Sequence, residues 1–286
     1  MDFPGWLSVT LLLLGYLGWL FCNEWKSDVV SPAREDSRSV AVSVPETFDS
    51  FVHNQQLRKK LLRSFCSQRA KVNMLLRPSF FSRLRVNERH ELVYCSPPDV
   101  GAAGWEGVLK ALNDVPGQAV KIVNDSAPLK APHENLSQYD MSTIGSLLRS
   151  YTKIIFVRDP LQRLLSTYSR EWPAGRPFEE FLRGMLEQGS KSAASWKPIV
   201  DLCHPCLVRY DYVAAYGLLN QELRYILRRL GFSEEVELPR FQDSEESRWL
   251  VEQHFGQLSA KLKGELFRFY HGDFAAFNFT NGLTLN

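Results

Sequence analysis

The sequence predicts an α/β protein: a parallel sheet flanked by helices, preceded by one membrane-spanning helix. Three observations carry this expectation. Lys153 to Tyr168 runs from a short β-branched and aromatic strand through a proline turn into a helix. Glu91 to Leu112 repeats that order, strand then helix, around a glycine-containing loop. Gly5 to Cys22 holds no charged residue and is long enough to cross a bilayer. Strands alternating with helices are the pattern of parallel sheets.

The chain has 286 residues, room for one large domain or two small ones. Its net charge of +2 gives no basis for nucleic acid as a partner. An anion site must therefore come from local clustering, and basic residues are denser early in the soluble part, from Arg58 to Arg85.

From the N-terminus, residues 1–4 read as a short tail, 5–22 as a transmembrane anchor, 23–50 as a stem and 51–286 as the folded domain. The anchor's 18 residues rise roughly 27 Å as a helix, close to the thickness of the hydrocarbon core. Trp6, Trp19 and Trp25 stand near its ends, as interfacial aromatics do. A cleaved leader is the rival, but it calls for a basic lead and small residues before the cut. Met-Asp-Phe-Pro and Trp-Leu-Phe-Cys meet neither demand. The stem is rich in Ser, Asp, Glu, Arg and Pro and buries little apolar surface. Phe51, Leu57, Leu61, Leu62 and Phe65 then fall at helical intervals and predict an amphipathic helix over 48–65.

Three sequons, at Asn124, Asn135 and Asn278, suit a lumenal domain. So does the even set Cys66, Cys95, Cys203 and Cys206, which allows two disulfides in an oxidising compartment. Cys203-His-Pro-Cys206 also has the look of a metal or redox pair. Zinc needs about four ligands, and only Cys66, Cys95 and His204 remain to complete a set, without a second close pair. No thioredoxin-like strand pattern surrounds the motif, which leaves structural cysteines as the reading.

Glu91 to Cys95 reads as the first core strand, and Trp105, Val108, Leu109 and Leu112 as one face of the helix that follows. Strand, glycine loop, helix is how α/β proteins cradle phosphate on loop amides. No Gly-Lys-Ser/Thr follows, so this is not a Walker loop. In the central block Ile154 to Val157 form a buried strand, and Pro160 opens a helix. Arg158 is thereby left at the strand's carboxyl end and Ser166 about two turns into the helix. A guanidinium fork and a hydroxyl suit phosphate, and a local Arg158–Asp159 salt bridge is the blander alternative. Further helices are expected at 178–186 and 216–230 and a strand at 206–213, and the chain closes with the segments 258–270 and 273–277.

Taken in order, several blocks resemble the Golgi carbohydrate sulfotransferases of the HNK-1, chondroitin and dermatan 4-O-sulfotransferase family (sulfotransferase family 2). They are Leu92-Val-Tyr-Cys95, Val157-Arg-Asp-Pro with Arg163-Leu and Ser166, Phe178-Glu-Glu-Phe181, Trp196-Lys-Pro-Ile199, Leu202-Cys-His-Pro-Cys206, Tyr210-Asp-Tyr212 and Tyr270-x-x-Asp-Phe274. The resemblance implies a sulfotransferase fold with a P-loop-like parallel sheet, and a single-pass type II protein of the Golgi membrane. It implies 3′-phosphoadenosine 5′-phosphosulfate as donor, no metal, and a glycan hydroxyl as acceptor, on a glycosaminoglycan or an N-acetylgalactosamine-terminated chain. Association with itself or with other Golgi enzymes is open. Arg158 and Ser166 match the residues that hold the donor's 3′-phosphate. The family's chemistry also needs a general base, for which His204 is the candidate. Its Cys-His-Pro-Cys setting fits a structural role equally.

The first loop departs from the family pattern, Pro-Lys-Val-Gly/Ala-Cys/Ser-Thr-Asn-Trp-Lys-Arg. Here it is Pro98-Asp99-Val100-Gly101-Ala102-Ala103-Gly104-Trp105-Glu106-Gly107, and no gap is needed to align the two. Asp99 stands in place of the lysine, Ala103 in place of the threonine, and Glu106-Gly107 in place of Lys-Arg. A unit charge pair at about 5 Å and an effective dielectric of about 20 is worth roughly 3 kcal/mol, and reversing one sign doubles the difference before screening. The alternative to an active transferase is thus a catalytically silent relative that binds glycan, nucleotide or active family members.

Overall fold

The computed structural model describes residues 45, 47–69, 76–101, 104–109, 134–172, 175–189, 195–232 and 245–279. The expected tail, the anchor at 5–22 and most of the stem lie outside these residues. Among the described residues no helix is long and apolar enough to cross a membrane.

The amphipathic helix α1 spans Phe48–Gln68, starting just inside the predicted stem. Thr47 and Ser50 form a capping box: Thr47 Oγ1 accepts the Ser50 N–H at 3.2 Å, and Ser50 Oγ accepts the Thr47 N–H at 3.0 Å. The sheet begins earlier than expected, with β1 at Leu84–Asn87 and β2 at Leu92–Cys95. A helix at 104–109 is α2, and β3 is the two-residue strand Glu134–Asn135. Then come α3 (Met141–Ser150), β4 (Thr152–Val157), α4 (Pro160–Glu171) and α5 (Phe178–Gln188). Two short helices, α6 (Ile199–Cys203) and α7 (Pro205–Val208), lead into β5 (Tyr212–Ala215) and α8 (Leu219–Arg229). The described chain closes with α9 (Glu245–Gly256) and α10 (Ala260–Phe277).

The strand order is β3-β1-β2-β4-β5. β2, β4 and β5 are parallel, but β1 pairs antiparallel with both β2 and β3. The predicted parallel sheet is therefore a mixed one. The four residues of β1, Leu-Arg-Val-Asn, sit in a basic stretch and are too few to carry a strand alternation of their own. The expected strand at 206–213 is also corrected. Pro205 starts a helical turn, Arg209 turns left-handed at φ +57°, and only Tyr212–Ala215 pairs with β4. At the other end, the two closing segments are one helix. Gly272 does not break it, and its hydrogen side chain has a packing reason, because a Cβ there would meet Val200 Cγ2 at 2.8 Å.

Two apolar clusters result. One holds both faces of the sheet together, with Phe51, Leu92, Trp105, Ile155, Phe156 and Leu223 among its members. The other joins α4, α5, α9 and α10 through Leu161, Leu164, Phe181, Phe255, Leu266 and Tyr270. The cysteines form two disulfides, Cys66–Cys206 and Cys95–Cys203. The second ties the carboxyl end of β2 to α6. The first ties α1 to α7.

The edge strand β5 is closed by side chains. Gln55 Oε1 accepts the Val213 N–H at 2.9 Å, and Gln55 Nε2 donates to the Val213 carbonyl at 3.1 Å. Arg58 Nη1 donates to that carbonyl and to Glu222 Oε1, each at 2.7 Å, while Glu222 Oε2 accepts the Ala215 N–H at 3.2 Å. Side chains of α1 and α8 thus take the place of a sixth strand. Burial raises the Glu222 pKa and Arg58 opposes the rise. Arg58→Ala would leave the Glu222 charge buried and unpaired, and should cost about 3–5 kcal/mol. Arg58→Met with Glu222→Leu should cost far less. Urea unfolding of the three proteins side by side checks this; equal losses for the single and double variants would reject it.

Candidate functional site

The parallel strands end together. Cys95 lies opposite Ile155, and Val157 opposite Ala215, so the loops after β2, β4 and β5 leave the same edge of the sheet. Among the described residues, the next strand after β2 is β3 and the next after β4 is β5, on opposite edges. The two connections therefore part at the carboxyl ends of β2 and β4. A divergence of this kind opens the crevice in which α/β proteins bind ligands.

Arg158 is the first residue beyond β4 and is only 9% exposed. Its guanidinium lies 4.2 Å from the centroid of the Tyr216 ring, contributed by the loop after β5. Asp159 caps α4, accepting the N–H groups of Leu161 and Gln162 at 2.9 and 3.1 Å, and Pro160 occupies the first turn as predicted. With the helix started there, Ser166, Thr167 and Arg170 fall at i, i+1 and i+4, on adjoining positions of one face.

All three meet Asp99. Ser166 Oγ donates to Oδ1 at 3.3 Å, Thr167 Oγ1 donates to Oδ2 at 2.9 Å, and Arg170 pairs with Oδ1. The backbone carbonyl of Asp99 accepts from Arg158 Nη1 at 3.1 Å. Arg170 also pairs with Glu171 at 2.6 Å, and Glu171 accepts from Ser195 Oγ at 2.6 Å. The loop's own chemistry aims Asp99 this way. Asp99 follows Pro98 at φ +64°, as the second central residue of a type II turn does, and Gly101 continues at φ +87°. Trp105 anchors the far side: its N–H reaches the Gly101 carbonyl at 3.2 Å, and its buried indole packs on Tyr94 and Phe156. A left-handed aspartate carries backbone strain of order 1–3 kcal/mol, and four polar contacts hold it here.

The remaining loop residues divide by burial. Pro98, Val100 and Gly101 complete the turn, with Val100 in the core; Ala102 and Ala103 lie outside the described residues. Gly104 opens α2, Trp105 is core, and Glu106 and Gly107 are exposed. Burial, and to a lesser degree Glu106, push the Tyr94 phenol well above its ordinary pKa.

The structure thus joins Arg158, Ser166 and Asp99 in one cluster. His204 has different neighbours. It takes a left-handed conformation between α6 and α7, and its ring meets Phe80 edge-on at 5.8 Å. Burial lowers its pKa, opposed by Asp201 and by a hydrogen bond to the Phe80 backbone. Cys203 and Cys206, on either side, are both in disulfides. Of the sequons, Asn124 lies outside the described residues. Asn135 Nδ2 donates to the Ser82 carbonyl at 2.7 Å, and Asn278 is the left-handed cap of α10. Thr167 and Arg170 were missed in the sequence, although helical spacing from Ser166 was enough to find Arg170. Tyr216 had no local signal.

As a place for a sulfate donor, the site is divided. Two hydroxyls, Arg158 and Arg170 suit a phosphate monoester, and the cluster already engages an anion, the Asp99 carboxylate. On the first loop, Asp99 and Glu106 bring negative charge where a phosphosulfate would need positive.

Residues 82–280 match the profile of the Sulfotransferase family. The chain belongs to that family. Among curated sulfotransferases, it is 26% identical over 265 residues to human carbohydrate sulfotransferase 9, covering 79% of this chain and 60% of the relative. It is 27% identical over 279 residues to mouse carbohydrate sulfotransferase 8, covering 82% and 67%. To zebrafish carbohydrate sulfotransferase 14 it is 28% identical over 228 residues, covering 66% and 60%. No solved structure matches.

The family blocks divide in the structure between site and scaffold. Val157 to Ser166 builds the cluster. Trp196-Lys-Pro-Ile199 and Tyr270-x-x-Asp-Phe274 build a bracket behind it. Asp273 accepts the N–H groups of Ile199 and Val200 at 2.8 and 2.9 Å, and Tyr270 OH donates to the Trp196 carbonyl at 2.6 Å.

His204 yields a pH test. Its folded pKa lies below the unfolded value of about 6.5, so below that pH the unfolded chain binds the proton first. Its contribution to stability is present above about pH 6.5 and is lost as pH falls through the folded pKa. His204→Asn, which tolerates the left-handed backbone, should flatten that acid-side slope in urea titrations run across pH. An unchanged slope would show that His204 titrates alike in both states.

Proposed function

We propose that this chain is a carbohydrate sulfotransferase of the Golgi membrane. In this reading it takes sulfate from 3′-phosphoadenosine 5′-phosphosulfate and places it on a glycan hydroxyl, on an N-acetylgalactosamine-containing chain. Membership of the family and the names of the curated relatives support the reaction class. The observation that carries the reading is the cluster at the carboxyl end of β4: Arg158, with Ser166 and Thr167 on the first turns of α4. These groups hold the 3′-phosphate and orient the nucleotide across the crevice. The N-terminal apolar stretch anchors the domain in the membrane, facing the lumen.

One observation favours a second reading. The residue aligned with the donor-loop lysine is Asp99, and its side chain lies on α4. With no cation at that position, no transfer step is routed through this loop, and the chain is then a silent relative that retains nucleotide or glycan binding.

Calorimetry with 3′-phosphoadenosine 5′-phosphate, followed by transfer from labelled donor to chondroitin, dermatan and N-acetylgalactosamine-terminated acceptors, separates the two. Binding with transfer supports the first reading, binding without transfer the second, and absence of both overturns both. Arg158→Ala should weaken nucleotide binding at least about tenfold, the worth of one charged hydrogen bond. The variant Asp99→Lys, Ala103→Thr, Glu106→Lys, Gly107→Arg should gain transfer activity. The space around Gly107 is open, so the arginine has room.

A further inference from the structure

We propose that the Asp99 carboxylate is an internal occupant of the phosphate site, and that a phosphate monoester dianion binds there only by displacing it. The identity of the ligand rests on the nucleotide reading above; the occupancy rests on contacts of Asp99 itself.

Three observations lead to this. First, the carboxylate takes the same donors that a phosphate on α4 would need: Ser166 Oγ on Oδ1, Thr167 Oγ1 on Oδ2, and the Arg170 guanidinium. Two like-charged groups do not share one such set of donors. Second, the local charge is already balanced. Within the bonded set, Arg158 and Arg170 supply two positive charges, and Asp99 and Glu171 two negative ones. Neutralising Asp99 removes one of those negative charges from beside Arg170. Third, the same residue closes both halves of the site, because its carbonyl accepts from Arg158 Nη1 while its side chain lies on α4. Lifting the turn at Pro98 to Gly101 therefore releases the hydroxyls, Arg170 and the Arg158 Nη1 bond together.

Asp99 also holds a backbone conformation, φ +64°, that few side chains favour. Asparagine and glycine both suit it, so Asp99→Asn and Asp99→Gly remove the charge without forcing the turn open. The ligand class follows from the donors, which are enough for a terminal phosphate with several free oxygens, on a nucleoside 3′-position in the reading above, rather than a diester.

The test uses the full chain in detergent and three probes. Inorganic phosphate should raise the melting temperature of Asp99→Asn and Asp99→Gly but not that of the native chain, and Arg170→Gln added to either variant should abolish the rise. 3′-Phosphoadenosine 5′-phosphate should bind both variants at least about fivefold more tightly than native, the equivalent of one half-exposed ion pair. Adenosine 5′-phosphate should show no such gain. If neither variant responds to phosphate, the carboxylate is not an occupant and the inference is overturned. Measurable binding of 3′-phosphoadenosine 5′-phosphate that is equally tight in native and variants, and tighter than that of adenosine 5′-phosphate, also overturns it, while leaving the nucleotide reading standing. A phosphate response in the variants without any preference for the 3′-phosphorylated nucleotide sustains the internal occupant and defeats the nucleotide reading.

Discussion

The buried pairing of Arg163 with Asp273 is the constraint on which the placement of the site depends. Arg163, in the first turn of α4, is wholly buried, and its guanidinium donates to the carbonyls of Ser195, Trp196 and Lys197. Asp273 of α10 lies 3.9 Å from it and accepts the first N–H groups of α6. Burial raises the pKa of that carboxyl to about 6, against the pull of Arg163. Two buried charges of this kind persist only with further hydrogen bonds, which Arg163 makes through both terminal nitrogens and Asp273 through both oxygens. The pair fixes α4 against α10 and the 195–199 segment. Ser166 and Thr167, one turn beyond Arg163, inherit their position from it.

A second constraint works from the opposite side. The Cys95–Cys203 disulfide ties the end of β2 to α6, the same short helix that Asp273 caps. The loop carrying Asp99 starts immediately after Cys95, and the helix carrying Ser166 is held by Arg163. Loop and helix are thus referenced to a common block, residues 195–203, which contains no member of the cluster. Two of the most family-like motifs, Trp196-Lys-Pro-Ile and Tyr270-x-x-Asp-Phe, are explained by this scaffold rather than by chemistry at the site. The apolar layers do the rest, with α1 and α8 closing the β5 edge and α5 and α9 supporting α4.

Much of the fold was legible because its signals are local. The Ile154–Val157 run, the Asp159-Pro160 helix start and the apolar spacing of α4 and α5 each lie within a dozen residues, and each was read correctly. What failed was either too short or too dependent on distant partners. β1 has four residues and β3 two, and both are strands because neighbours supply the pairing. The 206–213 segment has strand-like composition, yet Pro205 and the bond from Cys206 to Cys66 hold its first half in a helical turn. At the candidate site, Arg158 and Ser166 were expected from motif, while Tyr216, 58 residues from Arg158 in the chain, reaches it only through the parallel pairing of β4 with β5.

By itself the sequence determined the α/β class, the strand-turn-helix that presents Arg158 and Ser166, the presence of Asp99 where the resemblance implies a lysine, and an even set of cysteines. These depend on residue type and on spacing along the chain, which local sterics and hydrophobic periodicity translate directly. Tertiary structure decided the mixed sheet, the pairing of the cysteines, the burial of His204 beside the disulfides, and where Asp99 points. The last matters most for function. A charge reversal in the sequence states that a lysine is missing. Only the folded loop, with its left-handed turn set against α4, places the carboxylate on Ser166, Thr167 and Arg170, because that contact joins residues 67 to 71 positions apart.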